Sequence, residues 1–368
     1  MKHVRVIIAA GGTGGHVFPA LALGEEIRDQ MPDAEILFIG TNRGLEDRVI
    51  PQAGFRLKTI VMSGLIRSFS PKDTMQNILM PFKLFFGMIQ SYSILRNYKP
   101  DLVIGCGGYV TAPVVWLAAK MGTKILLQEQ NSRPGRTTQF LSKYADEVHL
   151  AYEDAARFFK LTGKLKVSGN PIRKGLLKID RQEAARFFEI HPNNKTLLVV
   201  GGSLGAHSIN LALLDIIDEL IHLNDINVLW QSGKNDYDGI VSKVRHDHVK
   251  VLKFIDNMSA AYSCADLVLC RAGAMTLSEI TAIGIPAVLV PYPHAADNHQ
   301  EYNANSLADR NAAVMILNSE LRQKLKPVLV ELLRNSEKLK RMRQNSFALR
   351  QPDAAKKIVD SMKLLLGI

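Results

Sequence analysis

At 368 residues the chain is long enough for two domains, each with its own core. A hydrophobic fraction of 47% against 22% charged residues excludes a disordered or fibrous chain. A net charge of +11 and a pI near 9.5 call for an anionic partner, which could be nucleic acid, acidic lipid or a phosphorylated substrate.

The basic start of MKHVRVIIAAGG leads into a strand-length apolar run and then glycines, so it reads as a first strand and not a signal peptide. Val4 to Ala10 is that strand, Gly11 to Gly15 a glycine-rich turn, and Pro19 to Met31 a helix with Ala20, Leu23, Ile27 and Met31 on one face. Ile36 to Gly40 completes a βαβ unit, and further strands are expected at Leu102 to Cys106, Lys124 to Gln128, Glu147 to Leu150 and Leu165 to Ser168. Ile78 to Leu95 has transmembrane length, but Pro81, Lys83, Gly87 and Gln90 disfavour a spanning helix. Two readings stay open there. It is either a core helix or a surface helix whose Phe82, Phe85, Phe86 and Ile89 rest in a head-group layer.

Ser168-Gly169-Asn170-Pro171 is a hinge candidate, and beyond it the pattern restarts. A strand at Leu197 to Val200 is followed by a glycine turn at Gly201 to Gly205 and a helix from about Ser208 to Leu220. More strands are expected at Val228 to Gln231, Val249 to Lys253, Leu267 to Cys270, Ala287 to Val290 and Ala313 to Leu317. The fold class is therefore α/β with two Rossmann-like domains, each opening with strand, glycine turn and helix. Cys106, Cys264 and Cys270 form no CxxC and leave an odd thiol, which fits buried thiols in a reducing compartment.

The densest chemistry lies in LVLCRAGAMTLSEITAIGIPAVLVPYPHAADNHQ, from Leu267 to Gln300. It reads as a buried strand, a turn at Gly273, and a helix from Thr276 to Ile283 whose start offers free N–H groups to an anion or a sugar, with Glu279 near enough to meet vicinal hydroxyls. The alternative is self-capping, since Thr276 and Glu279 have capping-box spacing. His294, Asp297, Asn298, His299 and Gln300 crowd the end of the next strand, where open α/β sheets bind ligands.

Gly11-Gly12-Thr13-Gly14-Gly15-His16 lets backbone N–H groups approach phosphate oxygens. It misses the dinucleotide fingerprint, because the third glycine position falls on Val17 and no acid ends the second strand. His16 is either a base or a helix-start histidine bonded to backbone. Gly107-Gly108-Tyr109 with Thr111 is a second such loop or a simple tight turn. Asp236-Tyr237-Asp238 is a lone DxD of the kind that holds metals in some enzymes and also arises by chance. No zinc spacing or base-reading basic helix is present, which leaves nucleic acid the weakest of the three partners.

RAGAMTLSEITAIGIPAVLVPYPHAADNHQ resembles the nucleotide-sugar segment of the MurG family, the glycosyltransferases that make peptidoglycan lipid II. AAGGTGGHVFPALAL (Ala9 to Leu23), GGSLGAHSIN (Gly201 to Asn210), GCGGYVTAP (Gly105 to Pro113) and EQNSRPG (Glu129 to Gly135) are similar to the same family in the same order. Gln128, where the family often has His, and Arg133-Pro134 depart from it. The resemblance implies the GT-B arrangement, two Rossmann-like domains facing across a cleft. It places residues 1–168 with 350–368 on the acceptor and membrane side, and residues 169–349 on the UDP-sugar side. It implies an inverting transfer of N-acetylglucosamine from UDP-N-acetylglucosamine to the C4 hydroxyl of lipid I, on the cytoplasmic face of an anionic membrane, with no nucleic acid, cofactor or metal involved.

His16 is the implied base. The implied donor-binding set is Thr13, Gly14, Gly15, Asn131, Arg173, Ser203, Ile255, Ala274, Met275, Thr276, Leu277, Ser278, Glu279 and Gln300. Within it Glu279 serves the ribose, Arg173 and the Ile255 backbone the uracil, and Ser203 the phosphate. Gly12, Gly14, Gly15, Gly108 and Tyr109 are implied for the acceptor's diphosphate. A UDP-N-acetylglucosamine epimerase of the same fold and a non-catalytic UDP-sugar or lipid binder remain as rivals.

Overall fold

The computed structural model describes residues 3–42, 44–64, 78–160, 163–176, 179–202, 204–222 and 226–368. Two compact units emerge, unit 1 comprising Met1–Arg173 with Pro352–Ile368 and unit 2 comprising Lys174–Gln351.

Unit 1 runs β1 (Arg5–Ala9), α1 (Gly14–Gln30), β2 (Glu35–Gly40), α2 (Glu46–Gln52), β3 (Arg56–Thr59), α3 (Met80–Tyr98), β4 (Leu102–Gly105), α4 (Thr111–Lys120), β5 (Lys124–Glu129), α5 (Arg136–Leu141), β6 (Glu147–Leu150) and β7 (Leu165–Val167). The strands form one parallel sheet in the order β3-β2-β1-β4-β5-β6-β7. Strand residues alternate between two apolar cores because side chains point to opposite faces with a period of two. Val6 and Ile8 join one core, Ile7 and Ala9 the other. β3 carries no apolar run that would mark it in the sequence, because Arg56 and Lys58 interrupt it, as suits an exposed edge strand.

Unit 2 runs α6 (Arg181–Phe188), β8 (Lys195–Val200), α7 (His207–Leu214), α8 (Ile217–Ile221), β9 (Ile226–Gln231), α9 (Tyr237–Val241), β10 (Val249–Leu252), α10 (Met258–Cys264), β11 (Leu267–Cys270), α11 (Ala274–Ile283), β12 (Ala287–Leu289), α12 (His299–Ala308), β13 (Ala313–Met315), α13 (Leu321–Arg334) and α14 (Ser336–Ala348). Its sheet, also parallel, has the order β10-β9-β8-β11-β12-β13. Both sheets therefore carry the doubly wound order in which strand succession reverses beside the first strand, at β1/β4 and at β8/β11. The loops leaving those strands are the four glycine-bearing stretches singled out above.

The last helix, α15 (Ala354–Leu366), belongs to unit 1. Ile358, Val359 and Met362 are fully buried in the core beneath α1, each contributing about 1.5–3 kcal/mol. Ser361 donates from Oγ to Glu147 Oε2 at 2.6 Å and accepts from Lys166 Nζ at 2.6 Å.

Three helix boundaries differ from expectation. α1 begins at Gly14 and carries Pro19 inside it, so His16 sits in the first turn of the helix and not in a loop before it. The expected helix from Ser208 to Leu220 is two helices, broken at Asp215 and Ile216. α11 starts at Ala274, two residues before Thr276.

Candidate functional site

In unit 1 the loops after β1 and β4 touch. Gly108, at φ +81°, packs so close to Gly11 that a side-chain carbon there would come within 2.3 Å of the Gly11 carbonyl. The Tyr109 ring lies on Gly12. Burial pushes the Tyr109 phenol above its usual pKa, with a hydrogen bond to Thr41 pulling against it and the charge of Glu46 adding to it. Glu46 is fully buried and holds the first glycine loop from below. Its carboxylate accepts the Gly12 N–H at 3.3 Å, the Thr41 N–H at 3.2 Å and the Thr41 hydroxyl at 2.7 Å.

Thr13 is the residue before α1, its carbonyl accepting from the His16 and Val17 amides, and Gly14 and Gly15 open the helix. The His16 imidazole meets Gln130 through Nδ1 at 2.8 Å. Glu129 organises the neighbouring loop: Oε1 accepts from the Asn131 amide at 3.0 Å and from its side chain at 3.2 Å, and Oε2 accepts from the Gly135 amide. The guanidinium of Arg173 lies 4.9 Å from the centroid of the Phe18 ring, so it is not a freely solvated side chain.

Unit 2 holds a cavity of about 520 Å³ at the β8/β11 reversal, lined by Gly201, Gly202 and Gly205, His207 and Ser208, Arg271 and Gly273, Thr276, Tyr292, His294, Gln300 and Asn318. This is an ordinary size for a small-molecule site. The first turn of α11 supplies the open amides of Ala274, Met275 and Thr276 beside it, and the helix dipole favours an anion there. Ser203 lies outside the described residues.

Arg271 is the cation of this cavity. Its guanidinium donates to the carbonyls of Val290 and Pro291, to Asn318 Oδ1 and to Ser208 Oγ, all within 2.8–3.2 Å, and burial pulls its pKa below the usual value. Gln300 accepts the Tyr292 amide at 2.9 Å, and His299 contacts the Ala296 carbonyl through Nδ1.

Several expectations change. Leu277 is fully buried and its amide bonds the Gly273 carbonyl at 3.0 Å, so its side chain is core and its N–H is spent within the helix. The Ile255 amide is taken by Gln231 Oε1 at 2.8 Å, so of its two backbone groups the N–H is spent within the protein. Gln231 also donates to the Gly202 carbonyl, tying that loop to the glycine turn. The Ser278 hydroxyl donates back to the Ala274 carbonyl. Glu279 is 5% exposed and accepts the Tyr262 hydroxyl at Oε2 (2.9 Å), while α11 has no side-chain cap at Gly273, so the capping-box alternative is not realised.

In the DxD, Asp236 is bonded to His207 and to Asn210, and Asp238 stands exposed 3.9 Å from Lys253. Among the described residues no three His, Cys, Asp or Glu side chains gather as a metal site. The three cysteines are free and buried, and burial pushes the Cys270 thiol up to about 12.

Glu46, Gln231 and Arg271 were not singled out from the sequence, and Gln130 only as a neighbour of Glu129 and Asn131 at the end of a strand. Arg271 carries a readable signal, a lone cation directly after a four-residue apolar strand. The roles of the other three rest on hydrogen bonds between distant loops, which spacing does not encode.

α3 buries Gly87, Ser91 and Leu95, one stripe at i, i+4 and i+8. Phe82, Phe85, Phe86 and Ile89 are 51–63% exposed, so the apolar face is not core. Among the described residues no helix is long and apolar enough to cross a membrane.

The chain matches the family models for the glycosyltransferase family 28 N-terminal domain over residues 6–150 and C-terminal domain over residues 196–358. It is 42% identical over 365 residues to a UDP-N-acetylglucosamine–N-acetylmuramyl-(pentapeptide) pyrophosphoryl-undecaprenol N-acetylglucosamine transferase of Moorella thermoacetica, covering 97% of each chain. It is 38% identical over 372 residues to the enzyme of that name from Desulforamulus reducens, covering 99% of each. The crystal structure of Acinetobacter baumannii MurG superposes with a TM-score of 0.78 at 30% identity, covering 98% of this chain and 99% of that one. With two doubly wound parallel sheets, a glycine loop at each reversal point and relatives matched from end to end, the chain belongs to the MurG family of glycosyltransferases.

Proposed function

We infer that this chain transfers N-acetylglucosamine from UDP-N-acetylglucosamine to lipid I, giving lipid II, with the unit 2 cavity as donor site and His16 as base. The observation that carries the donor assignment is the cavity itself. Two glycine turns, the start of α11 and the Arg271 guanidinium converge on it, a set whose N–H donors suit a diphosphate. Glu279 and Gln300 then serve the ribose and the sugar, and the Ile255 carbonyl the uracil.

The reaction is a single in-line displacement. The acceptor's C4 oxygen forms a bond to the anomeric carbon as the bond to the UDP oxygen breaks, and the α-linked sugar becomes β-linked. The hydroxyl proton passes to His16, and UDP leaves with the electron pair, its growing charge met by Arg271 and the α11 amides. The Gly12, Gly14, Gly15, Gly108 and Tyr109 surface of unit 1 takes the acceptor's diphosphate. The exposed aromatic face of α3, with Lys83, Arg96 and Lys99 on the same helix or its end, rests on the anionic cytoplasmic face of the membrane as a peripheral contact.

UDP release from UDP-N-acetylglucosamine, measured with and without a lipid I analogue, tests this. Release that requires the analogue is expected. Sugar turnover without an acceptor would mark an epimerase, and UDP binding with no release in any mixture would mark a binding protein.

A further inference from the structure

Gln130 lies between His16 and a closed knot of buried amides, and its own orientation is fixed by that knot. Its side-chain nitrogen faces the Cys106 carbonyl at 2.8 Å and the Gln128 carbonyl at 3.1 Å. Backbone carbonyls only accept, so this end of the amide must be the NH₂ and the other end the oxygen. Gln128 strengthens the assignment, because its Oε1 also faces the Gln130 nitrogen while its own nitrogen donates to Asn170 Oδ1 at 2.9 Å. Asn170 closes the ring by donating to the Gln130 carbonyl at 3.0 Å. Gln128, Gln130 and Asn170 are each no more than 3% exposed, which makes an inverted amide costly in three places at once.

The Gln130 oxygen therefore points at His16 Nδ1, 2.8 Å away, and an oxygen with no hydrogen can be satisfied there only by an N–H. The ring is held in that pose by its seat. It lies against Gly107, where a side-chain carbon would come within 2.7 Å of Nδ1 and 3.3 Å of the Gln130 oxygen.

We propose that Gln130 is a positioning residue that locks neutral His16 as the Nδ1–H tautomer, so that Nε2 is the unprotonated nitrogen available to a substrate proton. This rests on the reading of His16 as the base. An imidazole without such a partner favours the opposite tautomer in water, with Nε2 protonated and unable to accept. The choice of an amide also has a consequence. Gln130 orients the ring without placing a negative charge beside it, so the imidazolium formed in the reaction gains no ion pair from this contact.

The test is the ¹⁵N spectrum of histidine-labelled full-length protein at neutral pH, with the His16 signals assigned by their loss in His16→Gln. Protonated Nδ1 and bare Nε2 are expected in the unsubstituted chain, and a protonated Nε2 would overturn the proposal without any variant. Gln130→Met should invert the tautomer and lower kcat by up to about 100-fold, with KM for UDP-N-acetylglucosamine within about twofold. An unchanged tautomer or unchanged kcat in folded Gln130→Met would also overturn it. Gln130→Glu keeps an acceptor for Nδ1 but sets its second oxygen against the Cys106 and Gln128 carbonyls, so it should lower Tm. It should still retain the Nδ1–H tautomer and more of kcat than Gln130→Met, while moving the acid limb of the pH profile up by about one unit. An unmoved limb counts against the contact. The base reading fails separately, through normal turnover in His16→Ala, whatever tautomer the spectrum shows.

Discussion

Glu46 accepts the Gly12 amide on both oxygens from beneath the first glycine loop, and its Oε1 also holds both polar groups of Thr41. Gly11, Gly40 and Gly44 surround the carboxylate so closely that a side-chain carbon at any of them would fall within 2.7 Å of a Glu46 atom. Glu46→Gln should therefore cost about 1–3 kcal/mol, because its NH₂ would replace an oxygen that faces the Gly12 amide, which can only donate. We expect a Tm lower by several degrees and a raised acceptor KM. Gly44→Ala, which adds one methyl group 2.0 Å from Oε2, should do at least as much. Unchanged melting and KM in both would show that the carboxylate does not hold the loop.

Arg271 satisfies four acceptors with one planar guanidinium. Lysine presents its donors from a single point and cannot reach all four. Arg271→Lys should weaken UDP binding at least tenfold, about 1.4 kcal/mol, by calorimetry at fixed ionic strength. Equal affinity would remove Arg271 from the donor site and leave it a strut between β11, β12 and α7.

On α3 the aromatic face is exposed while Gly87, Ser91 and Leu95 fix the helix to unit 1. Phe85→Ser with Phe86→Ser should thus spare the fold and cut binding to vesicles containing anionic lipid by at least tenfold, since each fully inserted Phe is worth about 1.5–3 kcal/mol. Activity on a water-soluble acceptor analogue should stay within about twofold. Unchanged flotation with vesicles would move the membrane contact elsewhere.

Much of this was legible in the sequence because buried parallel strands write themselves as apolar runs. Leu267 to Cys270 and Glu147 to Leu150 fall where periodicity puts them. Helix starts were harder. Gly14 and Gly15 are poor helix formers, yet they open α1 because a helix start needs close backbone approach more than propensity. Leu277 illustrates the limit within a site: a motif marks the whole stretch as binding, but helical geometry turns the face that carries Leu277 and Ile280 into the core. The pairing of Gln130 with His16 and of Glu46 with Gly12 was invisible for another reason, since these partners lie 114 and 34 residues apart.

The attachment of α15 to unit 1 should depend on pH through His149 and Glu147. His149 is 1% exposed, with Nδ1 on Ser168 at 2.6 Å and Nε2 on Glu147 at 3.1 Å. Burial holds its pKa below the usual value, against the opposing pull of Glu147. For Glu147 burial pushes the other way, but the bonds from Lys166, Ser361 and His149 outweigh it and the net shift is downward. Both groups thus bind protons less readily folded than unfolded. As pH falls through the ordinary range of histidine, the unfolded chain takes up the proton first, so stability falls; Glu147 adds a second loss below the ordinary carboxylate value near 4.5. Tm should accordingly decline from pH 7 toward pH 5 and more steeply below it. His149→Gln should flatten the upper part of that decline even where its Tm is lower throughout. An identical slope in the variant would place the acid sensitivity in other residues and leave His149 a neutral filler between β6 and the turn at Ser168.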